Sequence, residues 1–157
     1  HGGSMRYTLA KKGEFEVKEN VDYLLFKEKE IGLDKIEVFK KFDVNCNKFK
    51  QNFINLLNDL KNKNKKIIGY AATSKSTTIL NYCNINKSII DFICDTTKDK
   101  IGKYSPGMHI PVVSASEFRN NFPDIAYLFA WNHKKEIFSK ESSFSEKGGK
   151  WFSHVTL

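Results

Sequence analysis

The sequence predicts an α/β fold, a Rossmann-like doubly wound parallel sheet of four to five strands, preceded by an N-terminal helical arm with one long helix. Three observations predict it. Short β-branched or apolar runs alternate with helical stretches from residue 66 onward, the pattern of a parallel sheet wound by helices. The first run, Ile67-Ile68, stops at once in small residues that open a helix. Upstream, the apolar residues between Asp34 and Asn62 recur at steps of three and four, as on one face of a long helix.

The arm comes first. Met5-Arg6-Tyr7-Thr8-Leu9-Ala10 alternates as a strand would. Glu19 to Ile31 reads as a short helix carrying Val21, Leu24, Leu25 and Glu28, and Gly32 ends it. Asp34 is placed to cap the long helix. Its stripe is Ile36, Phe39, Phe42, Cys46, Phe49, Phe53, Leu56, Leu57 and Leu60. A helix that long exceeds what one small sheet covers. Part of the stripe is therefore expected on the sheet, and part on another helix, another domain or a second copy.

The sheet follows. Lys66 to Tyr70 is the first strand, and Ser74, Ser76 and Thr77 are candidate caps of a helix running from about Ser74 to Tyr82. Gly69, Ala71 and Ala72 leave the backbone open to approach. Helix N-terminal amides after such a turn suit an anion. The turn matches neither the dinucleotide fingerprint, since Ala71 and Ser74 stand where glycines would, nor the P-loop pattern around Lys75. Spacing alone leaves an anion site and a purely structural turn equally open.

Ile89 to Cys94 reads as the second strand, ending in Asp95. A carboxylate about 20 residues beyond such a turn is where Rossmann domains hold ribose hydroxyls; it also caps ordinary turns. Lys98 to Pro111 is a long loop holding Lys98, Lys100, Lys103 and His109. It lies on the side where open α/β sheets bind ligands. Pro111 to Val113 gives a third strand, and Ser114 and Ser116 cap a short helix. Pro123 and Asp124 lead into a fourth strand, Ile125 to Ala130, which ends in Trp131-Asn132-His133. A helix with Ile137, Lys140 and Phe144 follows, then a last strand over Trp151 to Val155.

The run Leu80-Asn81-Tyr82-Cys83, Phe92-Ile93-Cys94-Asp95 and Ser105-Pro106-Gly107-Met108-His109-Ile110-Pro111 resembles the C-terminal domain of sugar C-methyltransferases acting on nucleotide-linked deoxysugars. His1-Gly2-Gly3-Ser4-Met5-Arg6, Trp131-Asn132-His133 and Gly148-Gly149-Lys150-Trp151 are similar to further segments of that family. Ala71 and Met108 depart from its pattern, in loops that would face a ligand. The resemblance implies three parts: 1–18 left from an adjoining methyltransferase domain, a helical arm over 19–63, and a Rossmann-like domain over 64–157. It places S-adenosylmethionine and the catalytic residues in that adjoining domain, and no cofactor in this chain. It also implies that Met5–Ala10 is the last strand of the adjoining domain's sheet and stands here without a native partner, disordered or paired with a neighbouring molecule.

The expected ligand is a nucleotide-linked sugar or another phosphate-bearing small molecule. The candidate substrate-binding residues are Gly69, Ala71, Ser74, Lys75, Thr78, Asp95, Lys98, Lys103, His109, Trp131, Asn132 and His133. The phosphates are expected between the turn at 71–78 and the loop at 131–133. Two other readings stay open: a stand-alone nucleotide or dinucleotide binding module, and a structural assembly domain dimerising through the long helix.

Composition narrows the classes. Net charge is +8 over 157 residues, which attracts anions. Arg6 and Arg119 are the only arginines, and arginine is the usual base-reading side chain, so nucleic acid is not expected. Cys46, Cys83 and Cys94 have no metal spacing and no even count; they suit reduced core positions in the cytoplasm. No apolar run approaches the ~20 residues of a membrane span, and no signal peptide is visible. No nucleophile–base pair, paired carboxylates or zinc-spaced cluster suggests catalysis or a metal.

Overall fold

The computed structural model describes residues 3–155. The chain divides into two compact units, one up to Lys48 and one from Phe49 onward. The first unit holds α1 (Glu19–Glu30) and the beginning of α2 (Ile36–Asn62). No residue of α1 is buried. Val21, Leu25, Phe26, Ile36, Phe39 and Phe42 are all exposed, Phe42 at 68 %. Met5–Ala10, a strand candidate by alternation expected to lack a native partner in this chain, forms no strand: these residues are exposed irregular chain. Alternation sets which face a strand would bury, but no neighbouring strand within the described residues supplies its hydrogen bonds. His1 and Gly2, the start of the H-G-G-S segment, lie outside the described residues.

The second unit is the Rossmann-like body. It comprises the end of α2, then β1 (Ile67–Tyr70), α3 (Ser74–Tyr82), β2 (Ile93–Asp95), a 3₁₀ turn (Lys98–Lys100), β3 (Val112–Ser114), α4 (Ala115–Asn120), β4 (Ile125–Leu128), a second 3₁₀ turn (Trp131–His133), α5 (Lys134–Lys140), α6 (Ser142–Glu146) and β5 (Lys150–Phe152). The five strands are parallel in the order β3-β2-β1-β4-β5. The direction of winding reverses at β1, so the loops after β1 and β4 part there. β1 and β4 are buried throughout, as central strands covered on both faces must be.

Each face has its own core. On one side Phe53 and Leu57 of α2 pack with Leu80, Ile85, Ile93, Tyr127 and Phe129. The stripe of α2 is thus buried in its C-terminal half, where Phe53 and Leu57 meet the sheet. On the other side Tyr70, Phe118, Phe144 and Trp151 form an aromatic cluster with ring centroids 5.0–5.9 Å apart.

Several boundaries differ from the sequence reading. The second strand begins at Ile93 rather than Ile89, since Asn86–Ser88 form a side-chain-bonded turn and Ile89 and Ile90 bond back to Asn86. The fourth strand stops at Leu128 and the last at Phe152. The single helix expected over Ile137–Phe144 is two, broken at Glu141, whose carboxylate turns into the core. The cap of α3 is Thr73, not Ser74, Ser76 or Thr77. Thr73 and Ser76 form a reciprocal capping box in which Ser76 does what Glu or Gln usually does.

Candidate functional site

The carboxyl edge of the sheet is built around the turn after β1. Gly69 is buried, and a Cβ there would lie 2.7 Å from Phe129 Cε2. The group that its missing side chain admits is therefore the core ring of Phe129. Ala71 is held at φ +74° with its amide donating to the Cys94 carbonyl at 2.8 Å. A non-glycine residue in that region is uncommon and marks a turn fixed by its surroundings.

Asp95 supplies much of that fixing. It is 6 % exposed. Its Oδ2 accepts from the Ala72 amide at 2.7 Å and from Lys100 Nζ at 3.3 Å, and its Oδ1 accepts from the Thr97 amide at 2.8 Å. Lys100 Nζ also donates to the Ala72 carbonyl at 2.7 Å. Burial opposes ionisation of Asp95, yet the bonds from Thr97 and Ala72 and the Lys100 ammonium outweigh it and hold the carboxyl below its ordinary range. Asp95 thus clamps the first turn.

The capping box takes the Thr73 and Ser76 amides, and the Thr77 amide bonds to the Thr73 carbonyl. Among the described residues the Ser74 and Lys75 amides have no acceptor. The Thr78 hydroxyl donates to the Ser74 carbonyl one turn earlier. Lys75 Nζ reaches across the sheet edge to Asn132 Oδ1 at 3.4 Å. The turn at 71–78 and the loop at 131–133 therefore meet, through this pair.

The other candidates separate. Lys98 and Lys103 are exposed on the loop after β2. The Ser105–Pro111 segment is rigid: the Ile110 amide donates to Ser105 Oγ, and Asn81 Nδ2 donates to the Pro106 carbonyl. Gly107 sits at φ +79°, where a Cβ would overlap Asn81 Oδ1. His109 follows at φ +50° with its side chain exposed. Trp131 and Asn132 are half-buried, and His133 is exposed with Nδ1 4.0 Å from Glu136.

Two cavities flank the Lys75–Asn132 contact. One of about 230 Å³ is lined by Ala72, Thr73, Thr77, Lys100, Lys103 and Tyr104. The other, about 670 Å³, is lined by Trp131, Asn132 and His133 together with α5 and β5. His109, Lys98 and Thr78 line neither. Lys134 and Lys135 join the edge although sequence reasoning did not select them. Each was one lysine among many, and only the fold places it. Among the described residues no group of His, Cys, Asp and Glu is arranged to hold a metal.

A buried network stands on the other side of the sheet. Glu141, 1 % exposed, accepts Arg119 Nη2 at 2.7 Å, Arg119 Nε at 2.9 Å and the Tyr70 hydroxyl at 2.8 Å. Burial, the bond to Glu141 and its charge push the Tyr70 phenol well above its ordinary range. The network ties α4 and the α5–α6 break to β1 and opens to neither cavity. No sequence signal links three residues so far apart.

Fold and edge together define a Rossmann-like domain with a lysine-rich carboxyl edge. The chain belongs to the C-methyltransferase C-terminal domain family, whose model matches residues 1–155. It is 30 % identical over 152 residues to C-methyltransferase NovU of Streptomyces niveus, covering 96 % of this chain and 36 % of that protein. The chain thus spans about a third of the curated relative's length. Among the described residues no helix is long and apolar enough to cross a membrane.

Proposed function

We propose that this chain is the substrate-side domain of an S-adenosylmethionine-dependent sugar C-methyltransferase, binding a nucleotide-linked sugar at the carboxyl edge of its sheet. The observation that carries the reading is the Lys75–Asn132 contact at 3.4 Å. It joins the loops after β1 and β4, where a doubly wound sheet offers a crevice. The Ser74 and Lys75 amides lie beside it, and lysines on both flanks favour phosphates. The methyl donor and the catalytic groups belong to an adjoining domain, and this chain alone transfers no methyl group. The setting is the cytoplasm, in keeping with three free thiols.

The first unit supports an adjoining partner. A helix of 12 residues with no buried side chain is marginal in water by itself, and so much exposed apolar surface marks an interface. In this reading the methyltransferase domain covers it. A second copy docked through the long helix is the alternative, and sedimentation of this chain with and without that domain distinguishes them.

Calorimetric titration with nucleotide-linked sugars tests ligand binding, with NAD and S-adenosylmethionine as comparators. Binding of the nucleotide-sugar alone is expected. Lys75→Ala should weaken it by about 1–3 kcal/mol, the loss of a charge-assisted hydrogen bond. Unchanged affinity in that variant, or preferential binding of NAD, overturns the reading. A dinucleotide module has less support, because both Asp95 oxygens already accept protein donors.

A further inference from the structure

The two segments that meet at Lys75 and Asn132 are joined a second time, away from that contact. One segment runs from Tyr70, the last residue of β1, through the Ala71 turn to Lys75. The other runs from Asn132 through α5 to Glu141. Tyr70 and Glu141 close the far end of this pair, the hydroxyl donating to Glu141 Oε1 at 2.8 Å. Arg119 of α4 donates to both oxygens of the same carboxylate, at 2.7 and 2.9 Å. Donors from β1 and α4 thus converge on the one residue at which α5 and α6 break.

This polar group stands in apolar surroundings. Phe118 and Trp151 meet the Tyr70 ring edge-on, both at 5.3 Å. A buried ion pair adds little net stability over apolar packing of the same volume. What it adds is direction, because a carboxylate accepts its donors along set lines whereas an apolar contact tolerates sliding. α5 needs such a fixed end. It has 7 residues, no fully buried side chain and no side-chain cap at His133. A helix so short does not hold itself in water. Its position depends on Ile137, partly buried in the aromatic core, and on Glu141, whose amide closes the last turn on the Ile137 carbonyl at 2.9 Å.

We propose that Glu141 is a positioning residue for the ligand edge. With Tyr70 and Arg119 it holds the turn after β1 and α5 in register, and so sets ligand affinity without touching the ligand. Glu141 itself lines neither cavity, whereas α5 and Trp151 are walls of the larger one. The effect on affinity rests on the nucleotide-linked-sugar reading above; the hold on α5 does not.

Three variants test this. Tyr70→Phe removes one donor and keeps the ring, so the aromatic packing stands. Glu141→Gln keeps the shape and removes the charge. Phe53→Leu, in the core on the opposite face of the sheet, is the control for a general loss of stability. Hydrogen exchange of the α5 amides, followed by mass spectrometry without ligand, should quicken about tenfold in the first two variants and stay at the wild-type rate in the third. Calorimetry with UDP-glucose and dTDP-glucose should show binding weakened by about three- to tenfold in the first two variants and unchanged in Phe53→Leu. Unchanged α5 exchange in both network variants, or an affinity in them equal to that of Phe53→Leu, overturns the positioning role while the nucleotide-linked-sugar reading stands. If the wild-type chain binds neither compound, that reading falls. The α5 rates then decide alone: quickened exchange upholds the hold on α5, and unchanged exchange overturns it.

Discussion

Replacing Asp95 by Asn tests how the turn at the carboxyl edge of the sheet is held. The carboxylate accepts two backbone amides, from Ala72 at 2.7 Å and Thr97 at 2.8 Å, and one ammonium, from Lys100 at 3.3 Å. A carboxamide of the same shape keeps one accepting oxygen and turns an NH₂ toward the other amide. One buried N–H is then left facing a donor, and the Lys100 pair is lost. An unsatisfied buried donor costs about 1–3 kcal/mol, and hydrogen bonds to charged groups lie toward the upper end. The expected loss at pH 7 is therefore about 2–3 kcal/mol. Urea denaturation followed by far-UV circular dichroism measures it, with an unchanged m-value confirming the same surface exposure.

The pH dependence gives a second readout. The folded carboxyl titrates below its ordinary value. The unfolded chain therefore takes up the proton first on acidification, and the stabilisation is present above the unfolded pKa. It is lost as pH falls through the folded pKa, so the gap between wild type and Asp95→Asn should close there. A loss below about 0.5 kcal/mol at pH 7, the scale of ordinary surface substitutions, or a gap that persists in acid, refutes the clamp. Lost ligand affinity with unchanged stability would return Asp95 to the ribose role.

Glu141→Gln should destabilise by about 1–3 kcal/mol, because a neutral amide replaces the buried carboxylate that holds the Tyr70 hydroxyl and the part-exposed Arg119 guanidinium; thermal melts check this, and near-wild-type stability refutes it. Cys83 and Cys94 should resist a thiol reagent in the native state, since both are buried and burial pushes the Cys83 thiol up to about 11 and that of Cys94 further. Half-buried Cys46 should react first; quantitative labelling followed by peptide mass spectrometry decides, and early modification of Cys94 would show an opened sheet edge.

The chain's local signals were sufficient for its elements. Periodicity of three and four along Ile36–Leu60, and small residues between Ile68 and Ser74, act over a few residues and read directly as helix and turn. Ser74–Tyr82 is a helix over the range that spacing predicts, and the doubly wound parallel sheet follows from the alternation of elements. Isolated alternation was a weaker guide. Met5–Ala10 has a strand's pattern and no strand, because pairing is supplied from outside a segment.

The tertiary structure decided what the side chains at the edge do. Lys75 and Asn132 are 57 positions apart and meet only because β4 pairs with β1 in the sheet. Asp95 accepts from the Ala72 amide and from Lys100 because the fold brings the end of β2 against the turn after β1. Glu141 reads as one more surface charge in a helix, yet the break at that residue turns it inward onto Arg119 and Tyr70. Strand order and the partners of long polar side chains are set by contacts distant in sequence. No local pattern encodes them, whereas turns, caps and apolar stripes are fixed by neighbours along the chain.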